Sequence, residues 1–172
     1  SALRLRCTPH LACAAPTACL LALRPSAPMV CLMDQASTIA VFKPSAQALP
    51  VVLSCPHAGT MVPDDLVAAT TLDEATLIGA TDFGVDALVE PAAHALGVPL
   101  VSCLVARAYV DVNRSEDEID TAMFKDIDAL PPHRARSPRV MAGFGVIPTL
   151  APGNNSIYGA TKLDASSVEH RL

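Results

Sequence analysis

The 172-residue chain is long enough for one domain with a sizeable core and too short for two ordinary ones. A net charge of -5 and a pI near 5.4 argue against the broad basic face that nucleic-acid binding requires. Hydrophobic residues make up 51 % of the chain but aromatic residues only 3 %, so the core must rest on Ala, Val and Leu.

Residues 1–32 carry four prolines and no acid, and they keep neither a helical nor a strand period. Arg4 and Arg6 ahead of an Ala/Leu/Cys-rich stretch resemble a targeting segment. Pro9 and Pro16 interrupt that stretch, however, and about 20 unbroken apolar residues, enough to span a membrane, are absent. This segment is therefore read as a non-native leader or unstructured extension, and the composition change at Met33-Asp34 starts a domain over 33–172. Four of the six cysteines fall in the leader, and no Cys-x-x-Cys occurs, which removes zinc ribbons and thioredoxin-type motifs. Cys55 and Cys103 lie in apolar runs and are read as small buried hydrophobes, compatible with a reducing, cytoplasmic setting.

Within the domain, Ala46 to Cys55 ends in a continuous apolar run suited to a buried parallel strand. Pro56 ends its pairing and places His57 and Gly59 at the carboxyl end of the strand, where open α/β sheets bind ligands. Pro63-Asp64-Asp65 opens a turn or helix. Leu72 to Ile78 is a short amphipathic helix with Asp73 and Glu74 in its first turn. Asp82 to Gly97 reads as a helix with Asp82 as N-cap, Gly97 as stop and a kink or split at Pro91. Val98 to Val105 and Tyr109 to Val112 follow as strands. An acid-rich loop starts at Ser115, a basic proline-rich loop spans Ala129 to Pro138, a strand entry comes at 143–148, and a helix begins near Leu163. Alternating strands and helices give an α/β class with a mostly parallel or mixed sheet flanked by helices. The last helix is cut short, so the fold is expected to be C-terminally incomplete.

Chemistry concentrates in two places. His57 offers a neutral imidazole as a metal ligand, with Gly59 letting a substrate approach the backbone; the plain alternative is a histidine that caps the strand end. Asp82 and Asp86, at i and i+4, would share a helix face, so that one binds a metal while the other orients it. In Arg107-Ala-Tyr-Val-Asp-Val-Asn-Arg114, a guanidinium near an apolar strand needs a carboxylate partner, which Asp111 can supply. Forked donors on Arg107 and Arg114 suit carboxylates, with the Asn113 amide beside them. A purely structural Arg–Asp pair remains the alternative.

Taken together, SCPHAGT (54–60), ATDFGVDALV (80–89), RAYVDVNR (107–114), GFGVIP (143–148) and SIYGATKL (156–163) resemble the N-formylglutamate amidohydrolase family. The resemblance implies a zinc-carboxypeptidase-like fold and hydrolysis of N-formyl-L-glutamate to formate and L-glutamate, a closing step of histidine degradation. It also implies that His57 ligates Zn2+ or another divalent metal, and Asp82, with Asp86 behind it, is the expected second ligand. Arg107 would be the oxyanion-stabilising catalytic residue, and Asn113 and Arg114 would hold a substrate carboxylate. Thr60 stands where the carboxypeptidase pattern has a glutamate, and the third ligand and the general base are expected past residue 172. The chain is thus expected to be an inactive amino-terminal fragment. Its expected partner is a small anionic N-acyl amino acid, with no nucleic acid, membrane or protein partner. A non-catalytic carboxylate-binding module that uses Arg107, Asn113 and Arg114 is the alternative. A structural protein acting through its proline-rich loop is a third reading.

Overall fold

The computed structural model of the chain describes residues 37–130 and 137–172, so the expectations for residues 1–32 and for most of the basic loop, His133 included, lie outside the described residues. Strands β1 (Ile39–Phe42), β2 (Leu53–Cys55) and β3 (Leu100–Cys103) form a sheet in the order β1-β3-β2. The central β3 runs parallel to β2 and antiparallel to β1, so the sheet is mixed. The sequence reading does not anticipate β1, because four apolar residues are too few to register as an alternation. It also makes β2 too long. Pro50 has no N–H to give a ladder, and Val51 and Val52 stay exposed.

Parallel pairing of β2 and β3 requires a crossover, and helices α1 (Asp64–Ala69), α2 (Glu74–Ile78) and α3 (Val85–Leu96) supply it. Asp73 caps α2 by accepting from the Thr76 N–H at 2.7 Å. Asp82, in contrast, is not the cap of α3. Its own N–H donates to the His57 carbonyl at 2.9 Å, which holds it at the strand end, and Gly84 at φ 77° begins the helix instead. Asp82 and Asp86 therefore do not share a helix face as an i,i+4 pair. Gly97, at φ 60°, closes the helix as read. Pro91 neither ends nor splits α3. Pro91 and Ala87, whose carbonyl its missing N–H would have met, are both exposed, so water can satisfy that carbonyl.

Beyond β3 the chain is mostly turns around a dense core. Tyr109 to Val112 is not a strand. The Asn113 N–H donates to Asp111 Oδ1 and the Arg114 N–H to the Asp111 carbonyl, a local pattern that competes with sheet pairing. Residues 143–148 are likewise not a strand. Gly145 lies so close to the Glu118 carbonyl that a Cβ would stand 2.4 Å from its oxygen, while Val146 links the Glu118 and Asp111 backbones. A short α4 (Pro138–Met141), a hairpin of β4 (Leu150–Ala151) and β5 (Asn155–Ser156), and α5 (Ser166–Arg171) complete the described chain. Phe124, Ile119, Ile147 and Ile157 fill the main core. Arg171 closes one side of it: its guanidinium lies 4.3 Å from the centre of the Tyr109 ring and donates to the Tyr158 hydroxyl at 2.7 Å. Cys55 and Cys103 are buried and unpaired, and no described helix is long and apolar enough to cross a membrane.

Candidate active site

His57 leaves β2 just after Pro56 and is 7 % exposed. Its loop is held by main-chain bonds from Met61 N–H to the Leu104 carbonyl and from Ala106 N–H to the Met61 carbonyl, and by the Thr81 hydroxyl donating to the Gly59 carbonyl at 3.0 Å. Gly59 serves this packing rather than substrate access. A Cβ there would stand 2.2 Å from the Leu104 carbonyl carbon, so only glycine lets the two backbones meet.

The imidazole lies between two carboxylates. Nε2 is 2.7 Å from Asp111 Oδ1, and Nδ1 is 3.4 Å from Asp82 Oδ2. Asp111 is 1 % exposed and collects four donors: His57 Nε2 and the Asn113 N–H on Oδ1, and Arg107 Nε (3.0 Å) and Nη2 (2.8 Å) on Oδ2. Burial pushes its carboxyl pKa up. The hydrogen bonds from His57, Arg107 and the Asn113 N–H, together with the Arg107 charge, outweigh burial and hold it below the ordinary carboxylate range. An ionised Asp111 can only accept, so Nε2 carries the proton. Nδ1 is then the ring nitrogen turned toward Asp82.

A cavity of about 320 Å³ opens beside this group. Its walls come from three stretches, one bearing Thr81 and Asp82, one Arg107 and Asp111, and one Phe144 and Asn154. Arg107 is part-exposed here, and its Nη1 makes no hydrogen bond among the described residues. Asn113 is exposed. Arg114 is mostly buried, its Nε 3.5 Å from Asp111 Oδ2 and without a hydrogen bond. Neither Asn113 nor Arg114 lines the cavity, and Asp86, in the first turn of α3, does not line it either. His57, Asp82, Arg107 and Asp111 are thus brought together, Asn113 and Arg114 are attached through Asp111, and Asp86 stands apart.

Two donors on one tetrahedral zinc ion, each about 2.0–2.1 Å from it, are roughly 3.3–3.4 Å apart. The Nδ1–Oδ2 spacing of 3.4 Å fits that, with Asp111 placed as the carboxylate that orients a ligating histidine. Among the described residues no group of three His, Cys, Asp or Glu side chains is close enough to hold an ion. Asp111 does not serve as a third donor, since both its oxygens are taken. The sequence reading misses Phe144 and Asn154 in the cavity wall, and also Arg171, which packs on the Tyr109 of RAYVDVNR. A Gly-Asn turn was the only signal for Asn154, and Arg171 depends on contacts across the fold.

A sequence model of the N-formylglutamate amidohydrolase family matches residues 49–172. The fold is similar to the crystal structure of N-formylglutamate amidohydrolase from Ralstonia eutropha JMP134, with a TM-score of 0.69 and 31 % identity. That similarity covers 78 % of this chain and 46 % of the other, so the chain spans less than half the length of that protein. None of the curated proteins matches.

Proposed function

Because the chain belongs to the N-formylglutamate amidohydrolase family, we propose that its site serves hydrolysis of N-formyl-L-glutamate, or a closely related N-acyl amino acid, to formate and the free amino acid, as a step of histidine degradation. The observation that carries this reading is the His57 imidazole, oriented by Asp111 at 2.7 Å and turned to Asp82 at 3.4 Å beside a cavity reached by Arg107. On this reading the fold is zinc-carboxypeptidase-like, and His57 and Asp82 would hold a zinc ion. When bound, zinc supplies a Lewis acid and lowers the pKa of a water. Asp111 fixes the tautomer and the ring plane of His57. Arg107, pinned by two bonds to Asp111, keeps its Nη1 donors for negative charge developing on the acyl oxygen. Asn113 and Arg114, which stand outside the cavity wall and next to Asp111, would donate to the substrate carboxylate.

Catalytic zinc sites use three protein donors, and two stand together among the described residues. The 172-residue chain alone is therefore expected to hold zinc weakly and to release no formate. Titration of the purified chain with N-formyl-L-glutamate, with and without zinc, tests the assignment. Binding that zinc strengthens and that Arg107→Ala weakens supports the hydrolase site. Zinc-independent binding lost with Arg114→Ala supports the carboxylate-binding module, which the two-donor set also favours. Stoichiometric zinc binding with formate release would overturn the predicted inactivity.

A further inference from the structure

The stretch 144–154 forms a wall of the cavity that no assigned residue accounts for. It is largely apolar, with Phe144, Pro148, Leu150 and Pro152, and it ends in the amide of Asn154. Asn154 has φ 60°, and no other described non-glycine residue has a positive φ. The left-handed region is disfavoured for side chains with a Cβ, although asparagine tolerates it better than most. Gly153 before it is also left-handed, at φ 78°, and together the two set the tip of the β4–β5 hairpin against the cavity.

The hairpin does not need the Asn154 side chain. The Asn155 side chain donates to the Pro152 carbonyl at 2.7 Å, the Ile157 N–H donates to the Thr149 carbonyl at 2.9 Å, and Leu150 and Ala151 pair with Ser156 and Asn155. Asn154 itself is exposed, and its amide makes no hydrogen bond among the described residues. An amide has two N–H donors and one carbonyl acceptor, a set suited to a carboxylate or acyl oxygen and to an amide N–H.

We propose that Asn154 is a substrate-binding residue of this cavity, its amide donating to an oxygen of an N-acyl amino acid whose reacting group lies toward Asp82 and Arg107. The assignment rests on the functional reading above and adds to it a polar contact from the 144–154 wall. Such a ligand is held between Arg107 and Asn154, with the apolar residues of 144–152 along its aliphatic part.

Asn154→Gly separates binding from turn formation, because glycine adopts the left-handed conformation freely and removes only the amide. In calorimetric titrations with N-formyl-L-glutamate, Asn154→Gly should weaken binding by about 10- to 150-fold, the range for one lost hydrogen bond to a charged group. Its melting midpoint should stay within a few degrees of the parent chain. Asn154→Asp, with the same shape but an acceptor facing an anion, should weaken binding further. Glycine and parent chains that bind equally would overturn the assignment and leave Asn154 a turn residue. A large loss of melting midpoint in Asn154→Gly would overturn it too, by showing a structural role. If the parent chain binds no N-formyl-L-glutamate while melting normally, the functional reading itself fails, an outcome distinct from equal binding by the two chains.

Discussion

The two sides of the sheet are built to different depths. On the side facing residues 105–168, nineteen buried residues form one cluster, whereas on the α3 side only Cys55, Ala93, Val98 and Leu100 are fully buried together. Helix α3 is apolar around most of its circumference, yet Ala93 is its one buried residue, and Leu88 is 77 % exposed. The candidate site lies on the seam. His57 comes from β2, against which α3 packs, and Asp111 comes from the densely packed side. The position of the imidazole is thus borrowed from the better-packed half through a single carboxylate.

Removing that carboxylate should break the arrangement most. Asp111→Ala leaves Arg107 and Arg114 unpaired in a mostly buried setting and frees the His57 ring, and such losses cost about 3–5 kcal/mol. Chemical denaturation would measure it, and a loss below about 1 kcal/mol would mean that the carboxylate does not tie the halves together. Acid should produce a smaller effect of the same origin. The folded pKa of Asp111 lies below its unfolded value of about 3.9, so its contribution is full above about pH 4 and is lost as pH falls through the folded pKa. The stability difference between the parent chain and Asp111→Asn should accordingly shrink below about pH 4. A difference that stays constant into acid would remove Asp111 from the account. Smallest of all should be Leu88→Ser on α3, within about 0.5 kcal/mol by the same denaturation, because the side chain touches little. A loss above 1.5 kcal/mol would show that α3 is covered in solution and that the contrast between the two sides is false.

The parts legible in sequence were those governed by short-range rules. The strand end at Pro56 and the Gly97 stop each follow from one residue's backbone preference and stand where expected, while Asp73, read in the first turn of a helix from Leu72, caps a helix that starts at Glu74. Arg107 with Asp111 was readable because a guanidinium beside apolar sequence demands an anion. Long-range competition decided the rest. Asp82 looked like a helix cap until the His57 carbonyl took its N–H, and Tyr109 to Val112 looked like a strand until Asp111 drew the chain into turns. Gly59 looked like a ligand contact, but the backbone it faces belongs to residues 104–105, nearly fifty positions away. The same limit hid Asn154, since neither the cavity nor its left-handed φ is written in the local pattern.

The central claim is that His57 and Asp82 form a metal-binding pair oriented by Asp111. Zinc titration of the purified chain against a competing chromophoric chelator, alongside His57→Ala and Asp82→Asn, tests it most directly. The account predicts one weakly bound zinc per chain, lost in both variants and weakened in Asp111→Asn. Zinc binding that is unchanged by His57→Ala would contradict it.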